Sequence, residues 1–171
     1  MRIAVAAFSC VIALSFAGCQ STTVRTQAAF NPDEASFIRK EGKGVITGHA
    51  FLRRKSGANV YAAGEVVRLT PVTAYASERF GKLYSGRKYI AAVSIPKVDV
   101  DPVYASYTRT VKSDHMGRFR FENVAPGRYY VSTQAVWRER GEYMPSGGAM
   151  YDEVTVTGKE ERPVDVILSG N

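Results

Sequence analysis

The chain has 171 residues and carries 23 Lys and Arg against 16 Asp and Glu, a formal charge of +7. That length suits a single domain with its own hydrophobic core, and two cysteines are too few for a disulfide-stapled scaffold. No internal repeat or low-complexity tract stands out, so solenoids and biased-composition chains are excluded. The basic balance favours polyanions or anionic headgroups as neighbours. The cations are dispersed, and the tightest run, Arg53-Arg54-Lys55, precedes Ser56-Gly57 and reads as a solvated loop.

The first element is an export segment. Arg2 supplies a positive charge, and Ile3 to Phe16 is apolar except for Ser9, Cys10 and Ser15. The run is shorter than the ~20 residues of a permanent membrane helix. Leu14-Ser15-Phe16-Ala17-Gly18-Cys19 resembles the bacterial lipobox, with Phe16 standing where Leu is usual. The resemblance implies a signal at 1–18, a cut before Cys19, and lipid (palmitate among the acyl chains) on that cysteine. A rival cut after Ala17, leaving a secreted protein that begins at Gly18, stays open. Cys10 leaves with the signal, so no disulfide forms in the remainder. A lone exported thiol is accounted for by lipidation, and more than one acyl chain anchors firmly. Gln20 after the cysteine implies the outer membrane, on its periplasmic face, by resemblance to the enterobacterial sorting rule.

Residues 19–43 are expected as a lipidated tether with a short helix. Gln20 to about Phe30 is polar and weakly apolar. Asn31-Pro32-Asp33-Glu34 then has a cap, a first-turn proline and acids, and the helix ends by Gly42. From Gly44 the period changes to two, giving a strand with Ile46, Gly48 and Ala50 on one face. Lys55 to Asn59 is a turn. Glu65 to Thr70 is a strand with Val67 and Leu69 inward, stopped by Pro71. Residues 73–104 are irregular, with one or two helical turns before Gly81 and a strand near Tyr89–Ser94. This is expected as a long insertion across one edge or end of the fold. Strands follow at Tyr107–Lys112, at Arg118–Glu122 with Phe119 and Phe121 inward, and from Tyr129 to Ala135. Two more lie at Asp152–Thr157 and Pro163–Leu168. The fold class expected is all-β, a single Greek-key β-sandwich of about seven strands over 44–171.

Ser113-Asp114-His115-Met116-Gly117-Arg118-Phe119-Arg120-Phe121, continued by Val124 and Gly127 to Tyr129, resembles the signature of carboxypeptidase regulatory-like domains, which are prealbumin-like sandwiches. Gly44-Val45-Ile46-Thr47-Gly48 is similar to their first strand and Ala63 to Leu69 to their second. The resemblance implies a binding or accessory domain. The residues themselves place Tyr129 in the core with its hydroxyl on a backbone partner, as in a tyrosine corner.

Catalytic chemistry finds little support. The histidines are His49 and His115, with Leu52 and Arg118 three residues on, so no His-x-x-Glu zinc pair exists. No nucleophile elbow, phosphate loop or nucleotide fingerprint is present. Asp114 reads as a turn residue accepting backbone hydrogen bonds rather than as a calcium ligand. Lys112 and Asn123 flank turns and are not placed for a core isopeptide bond. No cofactor, metal or nucleic-acid partner is expected.

Aromatic side chains carry the binding expectation. Trp137, Tyr143 and Tyr151 frame a Gly/Pro/Ser-rich loop from Arg138 to Ala149, and Tyr84 and Tyr89 lie in the insertion. Such rings stack on sugars, anchor a protein partner or cover the core. The function expected is a non-catalytic, membrane-anchored envelope module that holds a protein partner. The alternative is a carbohydrate-binding module for peptidoglycan, lipopolysaccharide or a nutrient glycan. A hydrolase comes third.

Overall fold

The computed structural model describes residues 25–96 and 100–170. The expected export signal and Cys19 lie outside these residues. The architecture is an all-β sandwich of two sheets, with a helical layer on one outer face.

The first sheet is built on β1 (Gly44–Arg53), whose buried and half-buried residues alternate along its length. β6 (Arg118–Val124) pairs antiparallel along Gly44 to His49, with an irregularity between Gly44 and Ile46. β2 (Asn59–Tyr61) pairs antiparallel with Phe51 to Arg53. β9 (Val164–Leu168) lies parallel to β1, Ile46 opposite Val164 and Ala50 opposite Leu168. The second sheet is antiparallel throughout, in the order β4 (Tyr89–Ala91), β8 (Ser146–Val156), β7 (Gly127–Trp137), β3 (Val66–Pro71), β5 (Arg109–Lys112). Nine strands are present among the described residues, where about seven are expected. β4 falls within the strand expected near Tyr89–Ser94, and the three-residue β2 is the strand without a sequence signal.

The period-two pattern aims one face of every long strand between the sheets. Ile46 and Ala50 of β1, Phe121 of β6, Val67 and Leu69 of β3, Tyr129 and Val131 of β7, and Met150 of β8 are fully buried there. Each large side chain contributes roughly 1.5–3 kcal/mol relative to an exposed position. The Tyr129 hydroxyl donates to the Ala125 carbonyl at 2.7 Å, as the corner reading requires. Burial pushes that phenol up to about 12.

The insertion corrects one expectation. It does not lie across an edge or end alone; it covers the outer face of the five-stranded sheet. Thr73 caps α2 (Ala74–Tyr84) by accepting from the Ala76 N–H. The helix runs on through Gly81, which faces open space. Tyr75, Ala76, Phe80 and Tyr84 pack down against Tyr130 and Tyr151 of the sheet, joined by Tyr104 of α3 (Pro102–Ala105). Only β4 extends the sheet edge, beside β8.

The short helix α1 (Pro32–Ala35) starts as read, with the Asn31 side chain accepting from the Asp33 N–H. A single 3₁₀ turn, Ser36–Arg39, follows it. The segment before it is docked rather than loose from Arg25 onward. Glu78 of α2 accepts from the Gln27 and Ala28 N–H groups, Lys82 donates to the Arg25 carbonyl, and Phe30 packs edge-on against Tyr75, Tyr104 and Tyr107. These amides and Lys82 hold the Glu78 carboxyl down at about 2. No helix among the described residues is long and apolar enough to cross a membrane.

Candidate functional site: a cleft at one end of the sandwich

The C-terminal ends of β1 and β7 and the start of β8 converge at one end of the sandwich. Here a cleft of about 700 Å³ opens between the β1–β2 turn and the β7–β8 loop. That volume falls inside the roughly 300–1,000 Å³ range of small-molecule sites.

Trp137 is the last residue of β7 and continues the inward-facing row of Tyr129, Val131, Thr133 and Ala135. Part of its ring packs on the main core and part lines the cleft. Its Nε1–H donates to Glu139 Oε1 at 2.7 Å, and the other oxygen of Glu139 accepts from Arg54 Nη1 at 3.3 Å. The Arg54 guanidinium carbon lies 5.5 Å from the indole centre. The indole nitrogen is thus satisfied inside the protein, and the ring is held as an oriented flat surface. Tyr89 of β4 lines the same cleft, its hydroxyl donating to the Gly147 carbonyl at 2.8 Å. Burial raises its phenol pKa.

Gly147 and Gly148 explain how both rings fit. They fall in the segment Arg138 to Ala149, expected as a loop, but belong to β8, and the loop spans only 138–145. Gly147 has φ +82°, and a Cβ there would lie 2.5 Å from the six-membered ring of Trp137 and overlap the Ala135 carbonyl oxygen. A Cβ on Gly148 would overlap the Ile90 carbonyl and approach the Tyr89 ring. Glycine is needed at both positions because the neighbouring chain and rings occupy the side-chain space.

The remaining expected contacts divide sharply. Tyr143 is 94% exposed at the tip of the β7–β8 loop, beside Met144 at 63%. Tyr84 and Tyr151 are not in the cleft. They lie 4.4 Å apart, between ring centres, in the aromatic layer beneath α2, Tyr84 buried and Tyr151 half-buried. Burial raises the pKa of both phenols, most strongly that of Tyr84.

Five charged residues of the cleft lie outside the aromatic expectation. Arg53, Arg54 and Lys55, expected as a solvated loop, all line the cleft, and Glu139 and Glu142 face them from the β7–β8 loop. The one local signal is the Trp-x-Glu spacing of Trp137 and Glu139 at a strand end, which lets the carboxylate reach back to the indole.

Other candidates have ordinary partners. His49 stacks on Tyr61, and its Nε2 lies 2.6 Å from the Met116 carbonyl, to which it donates. Asp114 accepts from the Met116 and Arg118 N–H groups, both at 2.8 Å. The Arg118 amide above all holds its carboxyl below the usual range. Lys112 and Asn123 are exposed. Among the described residues, no three His, Cys, Asp or Glu side chains are grouped to hold a metal ion.

No protein-family model matches the sequence, and a search of curated proteins gave no match. Among solved structures, the chain is similar to a Pseudomonas aeruginosa protein described, provisionally, as carbohydrate binding. The two are 29% identical with a TM-score of 0.69, over 83% of this chain and 98% of the other.

Proposed function

We propose that this protein is a non-catalytic carbohydrate-binding module, and that the Trp137 cleft is its sugar site. The observation that carries the reading is the pinned indole. A flat apolar ring, fixed by a half-buried hydrogen bond and surrounded by Arg54, Glu139 and Tyr89, offers what a sugar ring asks for. One face stacks on C–H groups, and charged donors and acceptors at the rim take the hydroxyls. The similar Pseudomonas protein, described in those same terms, supports the reading. The cleft brings together no nucleophile with a histidine base: His49 and His115 are elsewhere, one of them bonded to a carbonyl. We further propose that lipid on Cys19 holds the module to the periplasmic face of the outer membrane.

A second reading, an envelope module that grips a protein, is favoured by one feature. Tyr143 and Met144 project from the loop beside the cleft, as interface anchors do. The test is titration of the full chain with a panel of soluble oligosaccharides, followed by tryptophan fluorescence. The chain has one Trp, so the signal reports the cleft. Saturable change with at least one glycan, lost in Trp137→Ala, is expected. No response to any glycan, together with stoichiometric capture of one envelope protein through Tyr143, would replace the sugar reading with the protein one.

A further inference from the structure

The charge of the cleft narrows the class of sugar. The β1–β2 turn is closed by two backbone hydrogen bonds, Arg54 N–H to the Ala58 carbonyl at 2.8 Å and Gly57 N–H to the Arg54 carbonyl at 2.9 Å. This places three successive cations on one wall of the cleft. Their situations differ. Arg54 is paired with Glu139, whose other oxygen is taken by Trp137. Arg53 and Lys55 are exposed, line the cleft, and have no carboxylate at ion-pair distance among the described residues. Against these two unpaired cations stands one unpaired carboxylate, Glu142, in the opposite loop. A neutral sugar could accept hydrogen bonds from Arg53 and Lys55 but would leave their net positive charge unmatched.

We propose that the cleft takes an acidic glycan, a chain bearing uronate carboxylates, with Arg53 and Lys55 as the residues that select its charge. This rests on the sugar reading of the cleft and deepens it. One sugar ring stacks on Trp137, and the carboxylate of the same or the next unit meets the cations of the turn. Arg53 suits a carboxylate because its fork can bind both oxygens, while Lys55 acts as a point charge. Glu142 remains available to accept a sugar hydroxyl. Exposed ion pairs are screened by salt, so the preference is expected to fade as ionic strength rises past the point where the Debye length falls to about 8 Å.

The experiment compares binding of the full chain to polygalacturonate and to neutral dextran of matched length, at low and physiological salt. Expected is at least a tenfold preference for polygalacturonate at low salt, shrinking with added salt. The double variant Arg53→Ser/Lys55→Ser should lose that preference. Lys159→Ser/Arg162→Ser removes the same charge from the β8–β9 connection at the opposite end of the sandwich and should keep it. If both double variants lose the preference equally, net charge and not the cleft is responsible, and the proposal is overturned. Equal, Trp137-dependent binding of both polymers overturns the acidic class and leaves the sugar reading standing. Binding of neither polymer, nor of any oligosaccharide in the panel above, removes both.

Discussion

Replacing Gly147 by alanine separates two effects that usually travel together. Gly147 and Gly141 both have positive φ, +82° and +85°. A side chain in that region costs on the order of 1–2 kcal/mol wherever it occurs. At Gly141 nothing lies within 4 Å of where the Cβ would sit, so Gly141→Ala should cost that amount and no more. At Gly147 the same atom would overlap the Ala135 carbonyl and lie 2.5 Å from the Trp137 ring. Either the β7–β8 ladder opens there or the indole swings away, breaking its bond to Glu139. Losing a hydrogen bond to a charged group costs about 1.5–3 kcal/mol. Gly147→Ala should therefore destabilise the protein by about 2 kcal/mol more than Gly141→Ala. Urea unfolding of both variants gives the difference, and tryptophan emission shows whether the ring has moved. Equal midpoints for the two variants, with unchanged emission, would refute the packing argument for the cleft.

The aromatic layer and the cleft should fail independently. Phe80 stacks on Tyr130 with ring centres 4.3 Å apart and meets Tyr151 at 4.9 Å. Phe80→Ala is expected to cost about 3–5 kcal/mol in chemical denaturation while leaving glycan-induced fluorescence changes intact. Loss of the glycan response in a still-folded variant would tie the two regions together. The docked N-terminal segment should respond to acid. Glu78 is held at about 2 against an ordinary 4.5, a depressed value, so its contribution is present above pH 4.5 and is lost as pH falls towards 2. Hydrogen exchange at the Gln27 and Ala28 amides should accelerate relative to the sandwich core over that window. In Glu78→Gln the window should vanish; a wild-type profile in that variant would contradict the assignment.

Much of the sandwich was legible because its signals are local. Phe119, Phe121 and Tyr129 alternate on strands that follow short turns, the first closed by Gly117, and neighbouring strands share that pattern. The insertion was not legible, for two reasons. Gly81 reads as a helix stop, yet a solvent-facing glycine costs a helix only about 1 kcal/mol. The four-residue spacing of Ala76, Phe80 and Tyr84 on the sheet outweighs it. Gly147-Gly148 reads as a turn, because nothing near it in sequence reveals the rings that need its space. The cleft itself was half visible. Trp137 and Tyr89 could be named as rings, but their sorting from Tyr84 and Tyr151 depends on which sheet face each occupies. The link between Arg54 and Glu139 spans 85 positions of sequence.

The parallel pairing of β9 with β1 has a consequence for how the chain becomes a folded protein. One border of the central strand is completed only by the last segment of the sequence, and Thr47 meets Asp165 across a separation of 118 residues. No hairpin sets this register, so Val166 and Leu168 must find it by burial alone; a one-residue slip would drive Asp165 and Ile167 inward. Contacts this remote form late and slowly. Until they form, β1 shows a row of unpaired backbone groups to any passing chain. A fragment ending before Val164 would keep that border open permanently and would be prone to associate with its own copies.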